Sequence, residues 1–230
     1  YVEMTMQWLD RCGIRYEHDN MQHFRIPGNQ KYKPFDVTIP ADFSSASFFL
    51  VGGAISGGPV TLEGLDYKDT QGDKRVADIL RAMGARVSIN ESSITIEGPL
   101  SNGGEFDLNE IPDSLPILSV AGCFAPGKTI LHNVAHARIK ETDRIAVMRS
   151  ELVSLGGVVT ERDDGLIIEH SPLLGGTING HGDHRVIMSG AIAGSASGKG
   201  VHIHDADAVS VTFPQFANLF RACGGKITEE

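Results

Sequence analysis

Ala77-Asp-Ile-Leu-Arg-Ala-Met-Gly-Ala-Arg-Val87 is one of four stretches in this chain that follow a single pattern. The others are Met6-Gln-Trp-Leu-Asp-Arg-Cys-Gly-Ile-Arg-Tyr16, Ser150-Glu-Leu-Val-Ser-Leu-Gly-Gly-Val-Val159 and Ala217-Asn-Leu-Phe-Arg-Ala-Cys-Gly-Gly-Lys-Ile227. Each reads as an amphipathic helix closed by a glycine and followed by a strand. Gly13, Gly84, Gly156 and Gly224 fall just past the helix ends, where the backbone turns left-handed and a side chain is strained. They recur about every 70 residues, the period of a supersecondary unit.

The rest of the unit recurs with them. Val87-Ser-Ile, the turn Asn90-Glu-Ser-Ser and Ile94-Thr-Ile-Glu predict a hairpin. Val158-Val-Thr, Glu161-Arg-Asp-Asp-Gly and Leu166-Ile-Ile-Glu predict another. Upstream of each amphipathic helix lies an apolar helix rich in small residues, over 45–55, 115–124 and 186–196. Each is followed by a strand at Val60-Thr-Leu, Thr129-Ile-Leu or Val201-His-Ile. These apolar helices carry almost no charge, so they are expected to be buried all round with amphipathic partners outside. The predicted unit is helix, strand, helix, strand, strand, an α/β architecture. Three units are expected over residues 40–230, the third without its final strand. Residues 1–39 hold a copy without its opening half, and 30–40, with two prolines, is expected to link two domains. Asp42 and Ser44 are candidate caps for the helix that follows, and its start is a candidate anion site.

Composition excludes several classes. The 230 residues carry a formal net charge of -9, which argues against nonspecific nucleic-acid binding. Cys12, Cys123 and Cys223 are odd in number and lack Cys-x-x-Cys spacing, so neither a zinc site nor a disulfide framework is expected, and a reducing cytoplasm fits. No uncharged apolar run reaches membrane-spanning length, and the N-terminus does not read as a signal peptide. It reads instead as the middle of a helix, which predicts a piece of a longer protein.

Two segments concentrate the chemistry. Residues 138–144 read Arg-Ile-Lys-Glu-Thr-Asp-Arg and 181–185 read His-Gly-Asp-His-Arg. Cations at this density suit a phosphate or carboxylate, and a carboxylate among them can move a proton. The bland reading of the first is a surface ion-pair cluster with Thr142 or Asp143 capping a helix and Arg144 in its first turn, against the helix dipole. The bland reading of the second is a capping Asp183 beside a chance Arg185. A metal site drawing on His181, His184, Asp183, His202 and His204 is a third, weaker reading. Asp113 opens the second apolar helix, where N-capping is its default role. A carboxylate recurs there as Asp42, Asp113 and Asp183.

Ile-Pro-Asp113, Lys140-Glu-Thr-Asp-Arg144, Asp183-His-Arg185, Gln71-Gly-Asp73 and Thr212-Phe-Pro214 stand in the order and spacing of the 5-enolpyruvylshikimate-3-phosphate synthase family. The resemblance spans nearly the whole chain and matches the C-terminal half of such an enzyme. It implies repeated βαβαββ units of the enolpyruvyl transferase type, an inside-out α/β barrel. It also implies that 1–39 ends a first domain, that 40–230 forms most of a second, and that substrates bind where helix N-termini of both converge. The implied reaction moves the enolpyruvyl group of phosphoenolpyruvate to the 5-hydroxyl of shikimate 3-phosphate and releases phosphate, with no metal or cofactor, in a cytoplasmic transferase of aromatic amino-acid biosynthesis that is monomeric at full length. By resemblance Asp113 is the base facing the hydroxyl and Glu141 handles the methylene proton. Arg144 and Arg185 resemble the clamps for phosphoenolpyruvate. Lys140, Asp113, His136 and Tyr1 fall at positions that contact shikimate 3-phosphate, with Asp183 and His184 in support. Val211 stands where some members carry a Lys. Half a cleft is expected to fold without turning over. The runner-up readings are a UDP-N-acetylglucosamine enolpyruvyl transferase-like enzyme and a non-catalytic module that binds a phosphorylated ligand.

Overall fold

A computed structural model describes residues 1–229. Helix α1 (Val2–Arg11) and the antiparallel pair β1 (Glu17–Asp19) and β2 (His23–Arg25) come first. No helix or strand lies between Arg25 and α2 (Phe43–Ser56). The first full unit continues with β3 (Val60–Glu63), α3 (Arg75–Ala82), β4 (Arg86–Ile89) and β5 (Ser93–Glu97), in the strand order β3-β5-β4, all antiparallel. The second comprises β6 (Gly104–Asp107), α4 (Leu115–Phe124), β7 (Lys128–His132), α5 (Arg144–Ser154), β8 (Val158–Arg162) and β9 (Gly165–Glu169). Its sheet runs β6-β7-β9-β8, with β6 parallel to β7 and the rest antiparallel. The third comprises β10 (Gly176–Asn179), α6 (His184–Ala196), β11 (Val201–His204), the single turn α7 (Val209–Thr212) and α8 (Phe216–Ala222), with β10 parallel to β11. No strand follows α8 among the described residues.

The apolar helices α2, α4 and α6 pack against one another, and the sheets lie outside them. Every residue from Leu115 to Cys123 of α4 is buried, as expected of a helix apolar on all sides. Burying a Leu, Ile or Val side chain contributes roughly 1.5–3 kcal/mol, so Leu115, Ile117, Leu118 and Val120 alone are a large part of this hub. A glycine brings each hub helix onto its sheet. A Cβ on Gly53 would stand 2.8 Å from Ile96 and 3.1 Å from Val60, and one on Gly122 would stand 3.1 Å from Ile168 and 3.2 Å from Thr129. Gly194 meets Val201 in the same way. The helix-closing glycines Gly13, Gly84, Gly156 and Gly224 have φ of +68°, +98°, +97° and +88°, as the sequence pattern requires.

Four expectations need correction. The strand read after Gly224 does not form among the described residues, so the third unit lacks both strands that would follow α8. The second and third units open with strands β6 and β10, which the pattern reading omitted. These strands are short, and each offers only one large apolar side chain, Phe106 or Ile178, too little for a period-two reading. The second hairpin is tighter than expected, with β8 reaching Arg162 and β9 starting at Gly165. Asp113 does not cap α4. It sits in a 3-10 turn, Pro112–Ser114, and the α4 N-cap is Ser114, which makes no side-chain capping bond.

Candidate active site

The starts of α2, α4, α5 and α6 meet at one end of the hub. Asp42 caps α2 by accepting from Ser44 N at 3.0 Å and Ser45 N at 2.9 Å. Asp143 caps α5 by accepting from Ala146 N at 3.1 Å, which leaves Arg144 as the first helical residue. Asp183 caps α6 by accepting from Arg185 N at 2.8 Å. These caps aim Arg144 and Arg185 towards the Asp113 turn.

Arg144 is the centre of the site. Its side chain is 1% exposed and meets three carboxylates. Nε donates to Asp183 Oδ2 at 2.7 Å and Nη2 to Asp183 Oδ1 at 3.2 Å. Nη1 donates to Asp113 Oδ1 at 2.7 Å, and Nη2 also to Glu141 Oε2 at 2.7 Å. The guanidinium fork suits such multiple carboxylate contacts. Burial works against its charge, but the three acids outweigh burial and raise its pKa. They also offset the unfavourable placement of a cation at a helix start. Their exposure grades from 0% for Asp183 through 11% for Asp113 to 45% for Glu141. Glu141 is therefore the partner most open to exchange.

Asp113 is bracketed by donors. Tyr1 Oη donates to Oδ2 at 2.6 Å, Lys140 Nζ stands 3.2 Å from Oδ1, and Arg185 Nη2 stands 3.9 Å from Oδ2. Burial pushes its carboxyl up, yet Arg185, the Tyr1 hydroxyl, Arg144 and Lys140 together hold it well below the usual carboxylate range. The same contact, with burial first, pushes the Tyr1 phenol well above its ordinary value. Arg185 Nη2 donates to Ser44 Oγ at 2.7 Å and Nη1 to the Asp113 carbonyl at 3.3 Å. The side chains of Arg185 and Lys140 are 14% and 29% exposed, so both remain reachable by an anion. His184 Nδ1 lies 4.0 Å from Glu141 Oε1 and 4.0 Å from Asp183 Oδ1. Burial, then Arg185, push its pKa below the ordinary value.

Tyr1, Asp113, Lys140, Glu141, Arg144, Asp183, His184 and Arg185 are thus brought together. His136 is not. It lies half-buried in the 3-10 turn Ala135–Ile139 leading to Lys140 and makes no hydrogen bond to the cluster. Arg138 is the outer arginine of its motif, paired with Asp143 and Glu161 at 2.8 Å each. Val211 is 82% exposed. His181 bonds Glu151 at 2.7 Å, away from Asp183. No group of three or more His, Cys, Asp or Glu side chains is placed to hold a metal ion among the described residues. Ser44, Ser114 and Asp73 also reach the cluster. The sequence signal for them was the candidate anion site at the α2 start and the Gln71-Gly-Asp73 motif, whose partners only tertiary structure supplies. A non-catalytic anion module would place the cations together with no acid in reach. Here Asp113 and Glu141 are in contact with them.

Residues 1–220 match the family model of EPSP synthase (3-phosphoshikimate 1-carboxyvinyltransferase). The chain belongs to the EPSP synthase family. It is similar to the 3-phosphoshikimate 1-carboxyvinyltransferases of Ruminiclostridium cellulolyticum (52% identity over 228 residues) and Acetivibrio thermocellus (53% over 229 residues), covering 99% of this chain and 54% of each relative. It therefore spans about half the length of the curated relatives it matches. Among solved structures, EPSP synthase from Acinetobacter baumannii superposes with a TM-score of 0.85 at 32% identity, over 97% of this chain and 55% of that one. The α/β fold is thus that of EPSP synthase. No helix of the described residues is long and apolar enough to cross a membrane.

Proposed function

We propose that this chain supplies the C-terminal half of the active site of an EPSP synthase, with residues 1–39 ending the first domain and 40–230 forming most of the second. The whole protein then transfers the enolpyruvyl group of phosphoenolpyruvate to the 5-hydroxyl of shikimate 3-phosphate. The observation that carries this reading is Asp113, a carboxylate relieved of capping and ringed by Tyr1, Lys140, Arg144 and Arg185. Three free cysteines fit a reducing cytoplasm.

The geometry suggests how the reaction is gated. Surrounded by cations, Asp113 is a poor base. Substrate phosphate and carboxylate groups that engage Arg185 and Lys140 weaken that hold, and Asp113 becomes able to take the hydroxyl proton. An anion reaches Arg144 by displacing Glu141, its most exposed partner. Freed Glu141, carrying a proton taken from water, turns to the methylene carbon and gives up that proton as the hydroxyl oxygen attacks the adjacent carbon. It takes a proton back from the methyl group as the carbon–phosphate oxygen bond breaks, and the hydroxyl proton held by Asp113 leaves with the phosphate. His184 stands beside Glu141 to orient it.

The test is phosphate release with both substrates. The longer protein containing this chain should turn over. The 230-residue chain alone should unfold cooperatively, bind phosphoenolpyruvate weakly and release no phosphate, because one wall of a cleft cannot fix two reactants for attack. Turnover by this chain alone near the ~10 s⁻¹ typical of enzymes would overturn the two-wall reading. Absence of turnover in the longer protein would overturn the reaction.

A further inference from the structure

Asp73 has no role in the site as described so far. It lies in the 3-10 turn Gly72–Lys74 that opens α3. The segment before it is pinned to the start of α2, where Gln71 accepts from Phe43 N at 2.7 Å and donates to the Ala41 carbonyl at 3.1 Å. A Cβ on Gly72 would stand 3.1 Å from the Glu110 carbonyl, so the turn runs closely beneath the segment leading to Asp113. Asp73, Ser44 and Tyr1 share the lining of a small cavity of about 70 Å³ there.

The hydrogen bonds give a direction. Arg185 Nη2 donates to Ser44 Oγ at 2.7 Å, so the Ser44 hydroxyl proton needs another acceptor. Ser114 Oγ, 1% exposed as a residue, donates to Asp73 Oδ1 at 2.7 Å. Ser44 lines the same small cavity as Asp73, so its hydroxyl proton faces that carboxylate across the cavity. An ionised Asp73 is acceptor-only: it accepts from Ser114 and presents its other oxygen to the cavity that Ser44 lines. Ser114 adjoins Asp113, and the Asp113 carbonyl accepts from Arg185. Asp73 thus sits behind two groups that come from different repeats. Burial, with a smaller push from Asp113, raises the Asp73 carboxyl above its ordinary value against the pull of the two serines and Arg185.

We propose that Asp73 is a positioning residue, setting the backbone of Asp113 through Ser114 and the guanidinium of Arg185 through Ser44. This rests on the roles of Asp113 and Arg185 given above. Asparagine in its place keeps the size but turns one of the two acceptor oxygens into a donor, so it can no longer accept from Ser114 and also present an acceptor to Ser44.

The test uses Ser44→Ala, Ser114→Ala and Asp73→Asn in the longer protein. Ser44→Ala should raise the KM of the substrate held by Arg185 with little change in kcat. Ser114→Ala should lower kcat with little change in KM. Asp73→Asn should do both, lowering kcat/KM by roughly 10–100-fold, the scale of an ångström misplacement. Adding both serine substitutions to Asp73→Asn should cost no more. Asp73→Asn kinetics within about twofold of the parent would overturn the proposal, as would a loss matched by the fall in folded fraction. A second measurement does not depend on the reaction. In the 230-residue chain, NMR signals of the Arg185 guanidinium should show restricted rotation in the parent and averaging in Asp73→Asn. If the parent protein shows no turnover, the reaction assignment fails, and unchanged Arg185 signals would still overturn the positioning role.

Discussion

Asp42 and Asp113 stand at equivalent points of successive repeats, and their carboxylates have different work. Asp42 closes the start of α2, accepting from Ser44 N, Ser45 N and Ser45 Oγ, and is exposed. Asp113 makes no cap. A 3-10 turn lifts it off the helix start, and its oxygens take the Tyr1 hydroxyl, Lys140 and Arg144 instead. Asp183, in the third repeat, does both, capping α6 and holding Arg144. A repeated position therefore grades from local stability to chemistry according to how far its carboxylate is released from its own helix.

That contrast can be broken at its centre. Arg144→Ala leaves Asp183 buried without its cation and removes a partner from Asp113. It should cost about 3–5 kcal/mol in denaturant unfolding, the range for breaking a buried pair. Arg138→Ala, in the same motif but facing outwards, should cost no more than about 1 kcal/mol. Equal losses would show that Arg144 is no more central than a surface cation. Asp113→Asn in the longer protein should lower kcat about 10²–10⁴-fold while substrate binding largely persists. An unchanged kcat would reduce Asp113 to a scaffold.

Acid sharpens the comparison. The folded-state pKa of Asp113 is depressed, so its contribution is fully present above the unfolded value of about 3.9 and is lost as pH falls towards the folded value. Urea unfolding of parent and Asp113→Asn should therefore converge as pH drops from 5 to about 2.5. A gap constant over that range would refute the depressed carboxyl. The smallest effect belongs to the ordinary cap: Asp42→Ala should cost about 1 kcal/mol of unfolding free energy.

Much of the fold was legible because its signals are local. A glycine forced left-handed and a charge-free helix each declare themselves within a dozen residues. Strands β6 and β10 did not, because Gly104-Glu-Phe-Asp and Gly176-Thr-Ile-Asn each carry a single large apolar side chain, too few to mark a period of two. The residues of the site were legible as motifs, but their pairing was not. From sequence, Arg144 reads as a free clamp, whereas in the fold Asp183, thirty-nine positions away, and Asp113, thirty-one away, occupy it. His136 shares the motif's neighbourhood yet stays out of the cluster. Asp73 needed a serine forty-one residues on to show its direction.

Each outer sheet takes its strands from one repeat, and the helix hub is the main join between repeats, with smaller contacts such as α5 against β10 beside it. This divides the folding reaction. Sheet zippering is short-range and fast, whereas assembling α2, α4 and α6 closes long loops and comes late. Until then each repeat carries a helix with no polar face to show to water. Nascent chains with one or two repeats complete are therefore the species most exposed to self-association, and chaperone demand should peak before α6 emerges.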